Sequence, residues 1–479
     1  MNLVELLLSE PDERPALVTP SVRWSRADLA AAARAVAGAV GDATAVGDRV
    51  AILAGNDQHF VAGYLGVLGS GRVAVPLNPT SPRTELEREI AAVGVTLLLT
   101  GPDHHAPSTV ATLSIVDACT HAPIGSWAAV EADDLAVLLF TSGTAGMPKA
   151  AMLSHGNLAA NIEQVQSAPG LKFEAGDVGL GVLPFFHVFG LNVVIGLSLA
   201  AGAILVCVPN FHRDESIAAI GEHRVTVIAA VPAIYAAWLD SDAPAEAFAT
   251  VRLAVSGAAA LGAETIAAMQ ARFGVRVHEG YGLTEASPIV TTTAVERAVR
   301  PGSIGPALPG VEVRLVDRDG DDALAGDPGE IWVRGANVFR GYWDDPEQTA
   351  RVLVDGWLRT GDIAVADDDG WLELVDRAKD LIIVSGFNVY PGEVEAALGE
   401  HDDVHQAAVV GEADERSGER VVAYVVARAG ASPTPTILTA HLRRRVARYK
   451  IPQRFEFVDS LPQTFTGKVL RRALRDSVA

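Results

Sequence analysis

After Asp48 the chain alternates short apolar runs with amphipathic stretches. Val50 to Ala54 reads as a strand, Gln58 to Leu68 as a helix, Val73 to Leu77 as a strand, Thr84 to Val93 as a helix and Thr96 to Thr100 as a strand. Repeated βα winding of this kind implies a parallel sheet covered on both faces. The rhythm returns with a strand at Val225 to Ala230, a helix around Ala233 to Leu239 and a strand at Arg252 to Ser256. From about residue 300 to residue 375 short strands are separated by turn signals at Pro309-Gly310, Asp319-Gly320, Asp327-Pro328-Gly329 and Asp355-Gly356, the pattern of a β-rich subdomain. Beyond it, strands at Gln406 to Gly411 and Val421 to Ala427 precede a basic helix near Thr436 to Arg448 and a strand at Phe455 to Val458. The polar run DRAKD, from Asp376, separates two apolar strands. The prediction is therefore an α/β chain with a large N-terminal domain over 1–376, built of wound parallel βα layers plus the β-rich subdomain, and a small α+β C-terminal domain over 377–479.

One stretch, Val178 to Phe211, carries no charge and is long enough by count to span a bilayer. It also contains Pro184, His187, Asn192 and glycines 179, 181, 190, 196 and 202, so it reads as buried core, and no transmembrane segment is expected. The opening MNLVELLLSEPDERP has acidic residues where a signal peptide needs Lys or Arg. Hydrophobic residues at 49% and charged residues at 20% exclude a disordered or collagenous chain. Lys+Arg 38 against Asp+Glu 59 gives a net charge of −21 with the acids scattered, which excludes a surface built to neutralise nucleic acid. Cys119 and Cys207 are too far apart for a metal-ligand spacing, and a reducing cytoplasm is the expected location.

The strongest chemical signal is Phe140 to Lys149, FTSGTAGMPK. A strand ends there, and Thr141, Ser142, Gly143, Thr144, Gly146 and Lys149 follow in one loop. Glycines let backbone N–H groups approach phosphate oxygens, hydroxyls add donors and the lysine supplies charge. A Walker loop requires Gly-Lys-Ser/Thr, whereas Gly143 leads to Pro148-Lys149, so this is a different phosphate loop.

FTSGTAGMPKAAMLSH is similar to the phosphate-loop signature of the adenylate-forming enzymes, the superfamily of acyl-CoA synthetases, adenylation domains and luciferases. LPFFHVFG, GYGLTEASP, GEIWVRGANVFRGYW, LRTGDIA, VDRAKDLIIVSGFNVYPGEVE and TGKVLRR resemble that family's other blocks, in order along most of the chain. The resemblance implies that Thr141 to Lys149 hold the β and γ phosphates of ATP, with Thr144 also near the metal. It places Tyr281 against adenine, with Ser256, Gly257 and Ala258 of the SGAAA run closing the other side and Glu279, Gly280 and Gly282 beside it. Thr284 and Glu285 would sit by the α-phosphate, Glu285 holding Mg²⁺, since a hard cation takes oxygen ligands. Asp362 and Arg377 would bind the ribose, Lys379 would be the hinge of a mobile small domain, and Ser385, Gly386 and Phe387 would border the pantetheine of CoA. Lys468 is the implied catalytic lysine, bridging the substrate carboxylate and the α-phosphate. Ala145 and Ala150 depart from the family's usual residues without removing a charge.

The expected cofactors and co-substrates are ATP, Mg²⁺ and CoA. An amino-acid substrate would need a carboxylate partner that Val178 to Phe211 lacks, and a dicarboxylate would need an arginine where His278, Glu279 and Gly280 stand. His187, Phe189, Val193, Ala258, Gly280 and Ile289 would line an apolar acyl slot, with His187 gating it. The reading is a ligase that turns an apolar carboxylic acid, a fatty acid first, into its acyl-AMP and then its CoA thioester. The alternatives at this stage are a ligase that loads an acyl-carrier protein and a non-catalytic nucleotide-binding member. A homodimer and an acyl-carrier protein partner are both left open, since the sequence does not fix the oligomeric state.

Overall fold

A computed structural model describes residues 1–9, 11–104, 110–141, 149–296, 299–317, 319–377, 380, 382–384, 387–414, 418–446, 448–463 and 469–476. By packing, the chain forms two compact units: Met1–Glu312 with Val333–Leu358, and Val313–Trp332 with Arg359–Ala479. Packing thus groups Val313–Trp332 and the segment from Arg359 with the residues beyond 377. The strand Trp357–Ala366 pairs from Asp362 to Ala366 with Leu372–Arg377, which ties those segments into the second unit.

The first unit contains two wound sheets. One has the order Ala111–Ser114, Leu97–Thr100, Arg49–Leu53, Val73–Pro76, Leu135–Thr141, Lys149–Ser154, parallel throughout except for the last pair. The other has the order Ile289–Thr292, Val277–Gly282, Leu253–Ser256, Val227–Ala230, Val178–Gly181, Ile204–Cys207, Pro15–Val18, Arg23–Ser25, antiparallel only at its two ends. Their central strands are mostly apolar, as strands covered on both faces must be; Val50, Ala51 and Ile52 are fully buried. The helices between them begin where side chains satisfy the free N–H groups. Asp57 accepts from His59 and Phe60 N at the start of Gln58–Gly69, and capping boxes Ser25/Asp28 and Ser154/Asn157 open Arg26–Ala43 and His155–Ser167.

The uncharged stretch is core, as its composition predicts. It folds as the strand Val178–Gly181, a π-helix Phe189–Gly196, a short helix Leu197–Ala200 and the strand Ile204–Cys207. No described helix is long and apolar enough to cross a membrane.

In the second unit the long hairpin of Val404–Asp414 and Gly418–Ala427 is flanked by Arg454–Phe457, parallel to the second strand, and by Ile382–Val384 with Phe387–Val389. Helices Pro391–Gly399 and Pro435–Leu442 bury Val394, Leu398, Leu438 and Leu442 on one face of this sheet, while Leu461 and Leu474 cover the other. The basic helix expected over 436–448 stops at Leu442, its last residue fully buried in the core. Arg443–Arg445 follow in a turn, and Arg445 pairs with Glu400 at 2.5 Å.

Candidate adenylation site

The phosphate loop rises from an antiparallel hairpin in which Thr141 stands opposite Lys149, with Thr141 Oγ1 donating to the Lys149 carbonyl at 3.4 Å. Ser142, Gly143, Thr144 and Gly146 lie outside the described residues. The strand Lys149–Ser154 carries a second neighbour on its other side. Arg340 N donates to Met152 O, Met152 N to Gly341 O and Trp343 N to Ala150 O, all at 2.8–2.9 Å. This lays the segment Phe339–Trp343 beside the loop lysine. Lys149 Nζ sits 5.4 Å from the centre of the Tyr342 ring, within cation–π range, and Tyr342 OH donates to Glu285 Oε1 at 2.7 Å. Phe339 N adds a bond to the Glu285 carbonyl at 2.9 Å. Burial first and the Glu285 charge second push the Tyr342 phenol up, so it remains a donor to that carboxylate. The loop lysine and the candidate metal-binding glutamate are thus joined through one tyrosine.

Thr284 and Glu285 occupy a single 3₁₀ turn, Thr284–Ala286, at the end of the strand Val277–Gly282. Buried amides fix this turn. Asn337, fully buried, donates to Ala286 O at 2.8 Å; Ser287 Oγ donates to Asn337 O at 2.8 Å; Asn161 clasps Ile289 by both its N–H and its C=O. Gly282 must be glycine, since a Cβ there would lie 2.1 Å from the Pro288 carbonyl oxygen. Tyr281 is buried on the same strand, paired opposite Thr291.

On the neighbouring strand Ser256 stands in register with Glu279. A Cβ on Gly257 would lie 3.2 Å from the Phe189 ring, so ring and backbone are in direct contact, and Gly280 O is 3.5 Å from the same point. The structure therefore brings the Phe189 ring to Gly257. His187 closes a turn with Pro184, and its Nδ1 accepts from Phe189 N at 3.3 Å, which leaves the proton of the neutral ring on Nε2. Asn56 holds that turn through Leu183 O (2.7 Å) and Phe185 N (2.9 Å). Within the π-helix Val193 is buried. Asn192 spends its amide donors on Leu158 O (3.2 Å) and Ser287 O (2.7 Å), linking the helix to the segment that carries Ile289. A π-helical turn is rare and is found disproportionately at functional sites.

In the second unit Asp362 is buried, its N–H bonded to Thr360 Oγ1 at 3.1 Å, and the strand register sets it opposite Arg377. Phe387 lies on the short strand Phe387–Val389. Lys379, Ser385, Gly386 and Lys468 lie outside the described residues.

Sequence reasoning missed Tyr342 and the amides Asn161, Asn192 and Asn337. Tyr342 sits in a block that resembles the family but carries no chemical signature of its own. The one available hint to Asn192 was an isolated amide in an otherwise apolar run.

Family models for "AMP-binding enzyme" and "AMP-binding enzyme C-terminal domain" match residues 8–343 and 393–468. The chain is 35% identical over 477 residues to a long-chain-fatty-acid–CoA ligase of Bacillus subtilis (strain 168), covering 89% of this chain and 85% of that protein. Its fold is similar to that of ATP-bound MatB from Rhodopseudomonas palustris, with a TM-score of 0.93 and 34% identity over 99% of this chain and 98% of that one. It is also similar to o-succinylbenzoate CoA synthetase from Bacillus subtilis in complex with its acyl-adenylate, with a TM-score of 0.89 and 30% identity over 99% and 98%. The phosphate hairpin, the Tyr281 strand and the Thr284–Glu285 turn thus stand in a chain that belongs to the AMP-binding enzyme family, in its acyl-CoA ligase branch.

Proposed function

We propose that the protein activates an apolar carboxylic acid, with a fatty acid as the first candidate. The carboxylate attacks the α-phosphorus of ATP to give acyl-AMP and pyrophosphate; the CoA thiol then displaces AMP to give the acyl-CoA. The observation that carries the choice of acid is the wall formed by Phe189, Gly257 and the π-helix. Its one polar side chain, Asn192, has both amide donors committed to backbone carbonyls, so it offers no free donor to a second carboxylate, and the wall carries no Asp or Glu to pair an ammonium.

In this reading Lys149 and the loop 141–149 take the β and γ phosphates, Tyr281 and the run Ser256 to Ala260 take adenine, and Asp362 with Arg377 takes the ribose. Lys468 neutralises charge building between the carboxylate and the α-phosphate. Lys379 is the hinge of the small domain over 377–479, whose Ser385, Gly386 and Phe387 border the pantetheine. Glu285 suits Mg²⁺: Tyr342 occupies Oε1 and orients the carboxylate. Among the described residues no cluster of three or more His, Cys, Asp or Glu could cage a metal, which fits a cation that takes one carboxylate and completes its shell with phosphates and water. Bound there, Mg²⁺ would offset the charge of departing pyrophosphate.

The test is pyrophosphate and AMP release with Mg-ATP over fatty, aryl, dicarboxylic and amino acids, each with and without CoA. Turnover with apolar acids that needs CoA to free AMP is the expected result. Preference for a dicarboxylic or amino acid, or acyl-AMP retained regardless of CoA, would overturn the substrate or the acceptor respectively.

A further inference from the structure

The run Ser256 to Ala260 leaves its strand with an unusual backbone. Ala258 has φ +69°, the left-handed region that L residues other than glycine seldom occupy. Its side chain is exposed, so no packing of its own holds it there. What fixes the loop stands at either end. At the near end Gly257 lies against the Phe189 ring and donates to Ala230 O at 3.3 Å. At the far end Leu261 N donates to Glu279 Oε1 at 2.9 Å, a bond buried from solvent, with Leu261 itself in the core. Glu279 in turn is clamped by its own backbone: its N–H bonds Thr293 Oγ1 at 3.1 Å, and its carbonyl accepts from Thr293 N and Thr292 Oγ1. Ser256 Oγ, buried opposite it in register, has no hydrogen-bond partner among the described residues. A carboxylate is held at this depth against its desolvation, which raises its pKa, while the Leu261 and Gly302 N–H groups lower it again. Such a group is costly to keep without a purpose.

We propose that Glu279 is a positioning residue for the adenine loop: its carboxylate holds the Leu261 amide and so keeps Ala258 in the left-handed conformation in which the run Ser256 to Ala260 closes on the base. The proposal rests on the adenylation reading of this site and departs from the expectation that Glu279 touches the nucleotide itself. Because the side chain acts through the loop, its loss weakens every adenosine ligand.

The experiment is AMP binding by calorimetry, without acid or CoA, so that failure of the ligase reading leaves it intact. Glu279→Ala, and Glu279→Met should the smaller residue fail to fold, are expected to weaken AMP about tenfold and raise the ATP KM to match. Glu279→Gln keeps an acceptor for Leu261 N–H and stays within about twofold of the unaltered protein. Adding Ala258→Gly to Glu279→Ala restores most of the affinity, since glycine adopts φ +69° unaided. Unchanged AMP affinity in Glu279→Met would overturn the proposal, as would failure of Ala258→Gly to restore it. A lost preference for ATP over inosine triphosphate would instead make Glu279 a direct contact to the adenine amino group.

Discussion

The two units fix their functional residues by different means. In the large unit the turn bearing Thr284 and Glu285 and the π-helix beside Phe189 are held by uncharged amides, Asn161, Asn192 and Asn337, each bonded to backbone carbonyls in the core. In the small unit ion pairs knit the helices to one another and to Asp380. Arg471 grips Glu395 with two nitrogens and reaches Asp380 at 3.4 Å, Arg475 adds to Asp380, and Lys450 pairs with Glu393 at 2.7 Å. Neutral amides in a core give short-range, salt-insensitive bonds and a preorganised wall. Ion pairs at half-buried positions leave a small body whose stability depends on ionic strength.

If the chemistry of charge belongs to the small unit, its lysine matters most. Lys468→Ala is expected to lower acyl-AMP formation by about 10² to 10³ while sparing thioester formation from supplied acyl-AMP. Rapid-quench assays of the two half-reactions check this, and equal loss in both would remove Lys468 from the adenylation step. Tyr342→Phe deletes the one hydroxyl joining Glu285 to the ring that carries Lys149. A hydrogen bond to a charged group contributes roughly 1.5–3 kcal/mol, so kcat/KM for ATP should fall about ten- to a hundredfold, with the acid KM unchanged. A Mg²⁺ titration of the variant should show a raised requirement, and an unaltered profile would separate Tyr342 from the metal.

Stability effects come next. Arg471→Ala strips Glu395 and Asp380 of their shared cation, and because those side chains are only 19% and 10% exposed the loss should be about 1–3 kcal/mol, confined to the small unit. Amide exchange along Val404–Asp414 against that along Arg49–Leu53 would show whether the effect is local. The smallest change tests the converse, a charge placed where the large unit has no partner for it. Glu89 is 8% exposed on the helix Arg83–Val93, its Oε2 has no hydrogen-bond partner among the described residues, and burial first and Glu85 second raise its carboxyl to about 7. Since its folded pKa lies above the unfolded value, stability falls as pH rises from about 4.5 to about 7 and stays low beyond. Glu89→Gln should match the unaltered protein near pH 4 and exceed it by about 1–2 kcal/mol at pH 8. Melting curves at the two pH values decide it, and equal gains at both would assign the effect to packing.

The sequence by itself determined the wound α/β class, the core nature of Val178 to Phe211, and the chain positions of the phosphate hairpin, Tyr281 and the Thr284–Glu285 turn. These follow from local periodicity and from motifs whose residues are neighbours in the chain. Only the tertiary structure decided that Tyr342, 57 residues from Glu285, donates to it, and that the Arg443–Arg445 run leaves its helix once Leu442 has met the core. It likewise turned the side chain of Glu279 onto the Leu261 amide. A strand places a residue on a face, but which backbone group crosses to meet it depends on how sheets and turns pack. That packing is set by the summed burial of many side chains, which no single stretch of sequence encodes.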